Sequence, residues 1–523
     1  MSNRNLSIGR SFWLQTSYLR YQAVQELKLR TEPESFLTAS PHLGRLPLSM
    51  QPLRSLGPAE PLYQERSGEH LSPLVKLTTL LHLTLGLIRY EYGSVRPFHR
   101  GAPSARCLYS TELFVLSADR SWLGEEGAYR YDPLLHALER RQEGPVWDAL
   151  EDALGLSLDG AEGALVLGAD CWRIARLYAD FAYNLATLEA GHAIAQLNVL
   201  ASRLGYATTV HERFLDRQLI ELLRMNGNAQ APLAVVVLWP QGKAAPAVET
   251  ERVAPQEIGT RSAVSTRFEQ EIGQCAELMS MMEASRLHHR EELLLTEEEA
   301  FDSVAAHEHS ADPCTELTCS AQHGRMPDLV DAIKSRNSGN DSIGLAATGR
   351  PIQFAELAGL LRELAAHPDV SELASEVGVY LVAHRVTGLQ SGIYQFDLSR
   401  PALCPLAVQA EAGRLIERAS VVDGKFINFR SLPVAFYFTV DAERALRRHG
   451  NRGFQISQMK VGRITHYLCL LAAAHGWFAR PLKSYRDAEA EAMLGLSETT
   501  KMLAYQLVMG ENHTPYLEFD MGL

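Results

Sequence analysis

Apolar positions along this chain follow two different spacings. Apolar residues that recur at helical spacing predict helices over residues 12–29, 74–87, 183–204, 354–364 and 458–476. Short continuous apolar runs predict strands over residues 111–116, 232–238, 377–386 and 505–509. The mixture of helices and strands predicts an α+β protein, in which antiparallel-rich sheets are flanked by helices.

Two of the predicted helices, 183–204 and 458–476, are apolar almost all round and should therefore lie at the centre of a domain. Each has an early glycine, Gly191 or Gly462, and each ends at a second glycine, Gly205 or Gly476, with the same spacing in both helices. A glycine inside a helix costs ~1 kcal/mol relative to alanine, so it usually marks close packing against another backbone or a ligand. Two unrelated buried helices would show the same spacing, but the matching order of the elements around them favours a tandem repeat.

The pattern divides the chain into four regions. An N-terminal extension over residues 1–58 ends in a Pro-rich stretch, and a first domain spans residues 59–250. A polar, partly Glu-rich insert or linker covers residues 251–326, and a second domain with the order of elements of the first spans residues 327–523. The run from Glu291 to Glu298 within the insert is predicted to be the solvated face of a helix.

Composition narrows the classes of function. The 523 residues are 46% hydrophobic and carry a formal net charge of −12, which disfavours general nucleic-acid binding because that needs a basic face. No apolar stretch reaches the length of a membrane span, and the N-terminal segment lacks the apolar run of a secretory signal. Seven scattered cysteines predict no disulfide framework. A cytoplasmic location is therefore expected.

Metal-ligand residue types are densest in the insert, but their spacing does not match that of a standard zinc finger. We therefore predict a polar loop and no metal site there; the residues concerned are His307, His309, Cys314, Cys319 and His323. The remaining cysteines have mostly apolar neighbours and are predicted to be buried core residues, namely Cys107, Cys171, Cys275, Cys404 and Cys469. His192 and His466, within the two apolar helices, are predicted to be satisfied core histidines rather than catalytic ones.

Several motifs resemble those of a known family. The segment 189–206, EAGHAIAQLNVLASRLGY, resembles the central dimer helix of nitroreductase-fold flavoproteins, above all the SagB-type azoline dehydrogenases. The segment 100–113, with Pro103 and Ser104, resembles the Arg-x-x-Pro-Ser-Ala-Gly segment of that subfamily. Arg336 and Ser338 resemble the Arg-x-Ser that opens nitroreductase domains. Residues 388–394 and 481–496 resemble, in turn, a glycine-rich hairpin and the loop and helix that line the flavin ring.

The resemblance implies two tandem nitroreductase-like domains, packed as an intramolecular pseudo-dimer that binds FMN. In homodimers of the family, the Arg-x-Ser clamp and the Pro-Ser turn come from different subunits. Here the clamp is present in the second half and the turn in the first, whereas Glu65 stands where the family's arginine would open the first half. We therefore expect one FMN site per chain, shared by the halves, and a degenerate reciprocal site. The expected cofactor-binding residues are Pro103, Ser104, Arg336, Ser338, Arg100, Asn184, Ser484 and Tyr485.

The catalytic residues are less well defined by the resemblance. Azoline dehydrogenases carry a Lys-Tyr pair shortly before the central helix, and this chain has Leu177 and Tyr178 there. Tyr183 stands where the family has a tyrosine followed by arginine, and the second half offers His449 at the place that corresponds to Tyr178. Tyr178, Tyr183 and His449 are therefore the candidate catalytic residues. The missing lysine leaves the identity of the base that would accept the ring proton open.

Three functions remain under consideration. The first is FMN-dependent oxidation of azoline rings to azoles in a ribosomally made, modified peptide, next to a cyclodehydratase or other biosynthetic subunits. The second is a nitroreductase-like oxidoreductase that acts on another small-molecule or amino-acid-derived substrate. The third is a flavin-free scaffold that binds a peptide or a partner enzyme. Each of the three is compatible with a homodimer, and none needs nucleic acid or a membrane.

Overall fold

A computed structural model gives the structure of the protein and describes residues 2–21, 43–48, 52–65, 70–92, 94, 96–117, 122–242, 275–294, 314–317, 326–339, 347–422, 424, 426–511 and 518–521. Two large sheets, two long central helices and a set of shorter helices make up these residues. None of the described helices is long and apolar enough to cross a membrane.

Each half of the chain builds one seven-stranded antiparallel sheet. In spatial order, the strands of the first sheet are Gly44–Pro47, Ala137–Glu143, Gly127–Asp132, Thr111–Ser117, Gly163–Asp170, Gln230–Pro240 and Tyr206–His211. Those of the second are Thr315–Glu316, Ala402–Val408, Gly392–Asp397, Val377–Ala383, Val434–Asp441, Lys501–Gly510 and Phe478–Leu482. When the strands of each sheet are numbered along the chain, both sheets have the spatial order 1-4-3-2-5-7-6. The predicted α+β class and the repeated order of elements are thus present in the structure.

Helices cover the faces of both sheets. The described α-helices are Leu6–Leu14, Pro73–Leu85, Val146–Leu154, Cys171–Tyr178, Ala182–Arg203, Asp216–Leu222, Ala276–Ala284, Leu329–Ser335, Phe354–Ala366, Pro368–Leu373, Ala412–Ala419, Ala442–His449, Gly453–Ala474 and Asp487–Met493. Smaller strands pair outside the large sheets: Arg89–Glu91 with Phe98–His99 and with Glu518–Asp520, and Ile352–Gln353 with Val386–Thr387. Apolar side chains of both halves form one continuous core around the two central helices.

The two central helices, Ala182–Arg203 and Gly453–Ala474, cross at their early glycines. A Cβ atom on Gly191 would lie 2.2 Å from the carbonyl oxygen of Met459, and one on Gly462 would lie 2.3 Å from that of Leu188. Both distances are far below van der Waals contact, so only glycine permits this crossing. The prediction that the glycines mark close backbone packing is therefore confirmed. The second helix begins at Gly453, before the predicted start, because the polar residues of its first turns are buried with the rest.

The segment that leads into each central helix occurs once in each half. Equivalent positions of the two copies are separated by the same number of residues, the number that separates Asp170 from Asp441. These two residues each cap an eight-residue helix with their side chains, Cys171–Tyr178 and Ala442–His449. A three-residue 3₁₀ turn and a 22-residue helix follow in both halves. The same offset relates Gly191 to Gly462, so it gives pairs of equivalent positions in the two halves.

Both described ends of the chain contact the opposite half. The helix Leu6–Leu14 packs Phe12 against Tyr183 of the first central helix and Phe454 of the second. The predicted helix 12–29 thus starts earlier, at Leu6, and its residues 22–29 lie outside the described part of the chain. The strand Glu518–Asp520 pairs with Arg89–Glu91 of the first half. The halves are therefore joined by three kinds of contact: central helices, N-terminal helix and C-terminal strand.

The insert between the halves is partly described and partly buried. Its helix Ala276–Ala284 packs Leu278 and Met281 into the main core, and the amide of Leu278 donates to Asp180 Oδ1 (2.8 Å). Of the predicted helix face 291–298, the structure describes residues 291–294, which begin in an exposed 3₁₀ turn. The predicted strand over residues 377–386 ends at Ala383, because the amides of the next two residues both donate to the carbonyl oxygen of Pro433.

The cysteine predictions need two corrections. Cys314 and Cys404 form a disulfide, because the pairing of Thr315–Glu316 with Ala402–Val408 brings these two residues opposite each other. Cys404 is therefore not a free core cysteine. Cys107 is half-buried and contacts a histidine, so it is not a core residue either, whereas the other predicted core cysteines, Cys171, Cys275 and Cys469, are buried and free. Of the insert's metal-ligand types, only Cys314 is described, and the described residues contain no group that could hold a metal ion.

Candidate functional site

The Pro-Ser turn of the first half is held by the first central helix. Ser104 Oγ donates to Glu189 Oε2 (2.5 Å) and accepts from the amide of Tyr109 (2.8 Å). The second oxygen of Glu189 accepts from the amide of Thr111 (2.8 Å), where the central strand of the first sheet begins. One carboxylate therefore fixes both the turn and the start of the strand.

Three residues after the turn adopt left-handed backbone conformations. Arg106, Cys107 and Tyr109 have φ values of 50°, 54° and 50°. Such conformations cost of order 1–3 kcal/mol each for residues other than glycine and concentrate at functional sites. The hydroxyl of Tyr109 donates to the carbonyl oxygen of Phe98 (2.9 Å), which ties this strained segment to the neighbouring hairpin.

Arg336 of the second half lies beside this turn. It follows the helix Leu329–Ser335, and Arg89 of the first half donates to its carbonyl oxygen (2.9 Å). The side chain is 4% exposed; burial lowers its pKa, and among the groups that interact with its charge are Cys107 and Tyr109. Its Nη1 lies 3.5 Å from Ser338 Oγ, and Nε is buried with no hydrogen-bond partner among the described residues. A buried cation with unused donors is thus placed where the two halves meet.

Arg100 adds a second buried cation to the same region. Its guanidinium lies 4.5 Å from the centroid of the Tyr109 ring, and Nη1 contacts the carbonyl oxygen of Thr111 (3.4 Å). Burial lowers the pKa of Arg100 to about 10, so the group remains charged at neutral pH. The carboxylate of Glu189 is among the groups that raise the pKa of Arg100, and it is already engaged by the turn.

Tyr178 is half-buried near the same turn. The guanidinium of Arg106 lies 5.7 Å from its ring centroid. Burial raises the pKa of Tyr178, while Arg106 and Arg96 act to lower it. Tyr21 of the N-terminal segment interacts with Tyr178 and also with the hydroxyl of Ser484 in the second half. The structure therefore brings Tyr178 and Ser484 together through a residue that the sequence did not suggest.

The loop that carries Ser484 is anchored by the N-terminal segment. Arg20 forms an ion pair with Asp487 and donates to the carbonyl oxygen of Tyr485, and Tyr21 donates to that of Lys483 (3.0 Å). Burial lowers the pKa of Lys483 to about 7, and its Nζ donates to the carbonyl oxygen of Ala504 (2.6 Å). We call Ser104, Cys107, Tyr178, Arg336 and Ser484, with their immediate neighbours, the primary cluster.

The offset that separates Asp170 from Asp441 also relates Tyr178, Glu189 and Ser484 to His449, Lys460 and Arg213. We call these three residues of the other site, with the charged side chains around them, the reciprocal cluster. Its ion pairs join Arg452 to Asp216 (2.7 Å), Lys460 to Glu376 (2.7 Å), and Arg463 to Asp369. Glu65, which stands where the family resemblance places an arginine, accepts a hydrogen bond from Tyr63 (2.8 Å). The reciprocal cluster is thus electrostatically closed, while the primary cluster keeps a buried arginine whose Nε has no partner among the described residues.

Several predicted site residues are not part of the primary cluster as the structure places them. Tyr183 is fully buried, stacks on Phe454 and donates to Gln455. His449 belongs to the reciprocal cluster, where its Nδ1 lies 3.2 Å from Arg213 and burial lowers its pKa to about 2. Tyr485 packs its ring in an apolar cluster of the second half and is fully buried.

The remaining predictions have mixed outcomes. Asn184 is buried in the first central helix, and its Oδ1 has no partner among the described residues. Nε2 of His466 contacts Gln196 Oε1 (2.5 Å), but its Nδ1 has no partner among the described residues. Neither ring nitrogen of His192 has a described partner, and burial lowers the pKa of His192 to about 3. Arg20 and Tyr21 were missed because the N-terminal extension shows no motif, and Glu189 was seen only as part of a helix.

Comparisons with known proteins agree with this architecture. A model of the Nitroreductase family matches residues 69–242. A Methanocaldococcus jannaschii protein, named as a candidate nitroreductase, is 28% identical over 159 residues, which are 30% of this chain and 78% of that protein. The crystal structure of a candidate nitroreductase from Anabaena variabilis superposes with a TM-score of 0.73 at 19% identity and covers 97% of this chain and 99% of its own. The chain therefore has a nitroreductase fold.

A further solved structure aligns with part of this chain. The E. coli microcin synthetase McbBCD complex with truncated pro-MccB17 bound aligns over 46% of this chain and 93% of the matched chain, at 19% identity and a TM-score of 0.29.

Proposed function

We propose that this chain is an FMN-dependent oxidoreductase, built as an intramolecular pseudo-dimer of two nitroreductase-like domains, with one flavin per chain at the primary cluster. The observation that supports it most directly is Arg336, a buried cation of the second half beside the Pro-Ser turn of the first. The equal strand order of the two sheets and the crossing of the central helices support the pseudo-dimer.

The donor set of the primary cluster fits an anionic cofactor. Arg336 keeps a buried Nε without a described partner, and Ser338 offers a hydroxyl 3.5 Å from the same guanidinium. Arginine and hydroxyl donors bind phosphate through charge-assisted hydrogen bonds. The reciprocal cluster does not fit, because its cations Arg452 and Lys460 are paired with the carboxylates of Asp216 and Glu376.

The remaining residues would act around the flavin ring. Pro103, Ser104 and Ser484 belong to turns held rigidly by Glu189 and by the N-terminal segment, as pre-organised binding requires. Arg100 contributes positive charge behind the turn. Bound FMN supplies hydride transfer, and Tyr178 is the residue whose hydroxyl would hold a proton beside it. We propose residues 59–250 and 327–523 as the two domains.

The substrate we propose first is an azoline ring in a ribosomally made, modified peptide, oxidised to an azole. This proposal rests on the resemblance of the segments around Pro103, Arg336 and residues 388–394 to azoline dehydrogenases. A cyclodehydratase or another biosynthetic subunit would then be the partner, and the location would be cytoplasmic.

A second candidate function is the reduction of a small electron-poor substrate. It is favoured by the state of Tyr178, whose pKa is raised by burial, and by Leu177 in place of the family's lysine. Oxidation of an azoline needs a base that takes a proton from carbon, whereas a protonated tyrosine is suited to donate one. A reductase would use the protonated hydroxyl of Tyr178 as its proton donor.

The first test is the absorbance spectrum of purified protein from ~300 to ~550 nm, with released FMN quantified per chain. We expect about one FMN per chain. Arg336→Met should lose most of the flavin, since it removes the phosphate's buried cation. Arg448→Met is the matched control, because Arg448 pairs with Glu376 in the reciprocal cluster and its loss should leave the flavin content unchanged.

Other outcomes separate the alternatives. Two FMN per chain would contradict the closed reciprocal cluster, and no flavin even after incubation with excess FMN would leave the scaffold function. With flavin bound, oxidation of azoline peptides and reduction of nitroaromatic or quinone compounds by a nicotinamide donor distinguish the two enzymatic candidates. Tyr178→Phe should slow whichever reaction is observed without changing the flavin content.

A further inference from the structure

Cys107, His99 and Glu91 form a chain of contacts beside the primary cluster. Cys107 Sγ lies 3.9 Å from His99 Nδ1, and His99 Nε2 lies 3.0 Å from Glu91 Oε2. The second contact is an ion pair rather than an aligned hydrogen bond, which suffices for a carboxylate to stabilise positive charge on the ring. A thiol, an imidazole and a carboxylate in this order are the groups of a nucleophilic cysteine site.

The backbone holds the three groups from separate elements. Glu91 and His99 lie on the paired strands Arg89–Glu91 and Phe98–His99. Cys107 lies in the strained left-handed segment after the Pro-Ser turn, and its amide donates to the carbonyl oxygen of Ser104 (3.2 Å). The thiol is half-buried, so that a small molecule can reach it, whereas Cys171, Cys275 and Cys469 are buried.

Two basic side chains, His99 and Arg336, interact with the thiol. Arg336, 4% exposed and with an Nε that has no described partner, interacts with the charge of Cys107 from the second half of the chain. Burial acts to lower the pKa of His99, but its contacts with Cys107 and Glu91 outweigh this and raise the pKa. A cationic imidazole and a guanidinium next to a thiol are the environment in which cysteines become reactive.

We propose that Cys107, His99 and Glu91 are a nucleophilic thiol site, which adds to α,β-unsaturated carbonyl compounds. His99 takes the proton of the thiol, and Glu91 stabilises the resulting imidazolium. The sulfur forms a bond to the β carbon, the π electrons move to the carbonyl group, and the α carbon takes the proton back from His99. The addition consumes no oxidant and no reductant, and it does not depend on bound flavin or on the proposed function.

The test measures alkylation of Cys107 by acrylamide in the purified full chain, followed by mass spectrometry of the peptide that contains Cys107. An ordinary thiol with a pKa near ~8.5 loses nearly a hundredfold in rate between pH ~8 and pH ~6, because its thiolate fraction falls by that factor. We expect Cys107 to react at least about tenfold faster than glutathione at pH ~6. The titratable and charged groups around the thiol are His99, Glu91, Arg89, Tyr109 and Arg336.

Variants identify the cause. His99→Asn and Glu91→Gln should slow the alkylation of Cys107 towards the rate of glutathione, and the histidine variant should lose more of the rate. His288→Asn, at an exposed histidine far along the chain, is the matched control and should change nothing. If the variants fail to fold, the wild type alone decides: a rate at pH ~6 no greater than that of glutathione would overturn the proposal. The measurement is made on protein freed of FMN, because a bound phosphate would engage Arg336, and its result therefore stays separate from the flavin test.

Discussion

Buried histidines without described partners make the stability of this protein sensitive to acid at the level of single residues. His367 stacks on Tyr467 with a centroid distance of 4.1 Å, and neither of its ring nitrogens has a described partner. Burial lowers its pKa to about 3. The unfolded chain therefore binds a proton at this position below pH ~6.5 that the folded chain does not, and stability falls as the pH falls from ~6.5 towards ~3.

Replacing His367 by phenylalanine should reduce this loss. Between pH ~7.5 and pH ~5.5, the wild type should lose about 1.4 kcal/mol of unfolding free energy through this residue, and His367→Phe should not. Urea unfolding at the two pH values measures the difference. The exposed His288→Phe serves as the control, and an equal pH dependence of wild type and His367→Phe would show that His367 is protonated in the folded state.

Individual site residues were predictable only where a local motif carried them. Pro103, Ser104 and Arg336 lie in short motifs, and the structure places them beside one another. The contact of Glu91 with His99 depends on the pairing of two short strands, which no spacing in the sequence reveals. Glu189 faces the turn because of its rotation on a helix whose residues are all buried, so its role could not be distinguished from that of a core position.

At the scale of elements, the crossing of the central helices depends on the lack of a side chain at Gly191 and Gly462. Gly191→Ala or Gly462→Ala would place a methyl group within 2.2–2.3 Å of a carbonyl oxygen on the facing helix. We expect each to cost about 1–3 kcal/mol of unfolding free energy, as overpacking of a core does. Gly44→Ala is the control, because a Cβ atom added there would meet nothing within 4 Å. Denaturant unfolding measures all three, and a neutral effect at Gly191 would mean that the helices separate at little cost.

Elements were predicted well where periodicity alone determines them. The helix over residues 183–204 was found as Ala182–Arg203 because its apolar character continues all round. The edge strand Thr315–Glu316 was not predicted, since two exposed residues carry no periodic signal and the strand is joined to its neighbour by the Cys314–Cys404 disulfide.

A disulfide of this kind is uncommon in the reducing cytoplasm, so free-thiol counting on protein isolated from cells tests the proposed location.

At the scale of the whole molecule, we expect that neither half folds without the other. All 22 residues of each central helix are buried, and the two helices pack on each other more extensively than on any other described element. Residues 243–274 lie outside the described part of the chain and offer a place to divide it. Fragments 1–255 and 256–523, when co-expressed, should purify as a one-to-one complex with the circular dichroism of the intact chain. Separate, folded monomers on size-exclusion chromatography would contradict the pseudo-dimer.

The pairing of Glu518–Asp520 with Arg89–Glu91 also has a consequence for the order of events during synthesis. The strand that carries Glu91 leaves the ribosome long before its outer neighbour, which lies near the other end of the chain. Arg336, the cation next to Cys107, is also made long after the thiol it faces. A nascent first half therefore emerges with its cysteine but without the surroundings that would make it reactive. The thiol site that we propose can therefore form only after these later segments have been made.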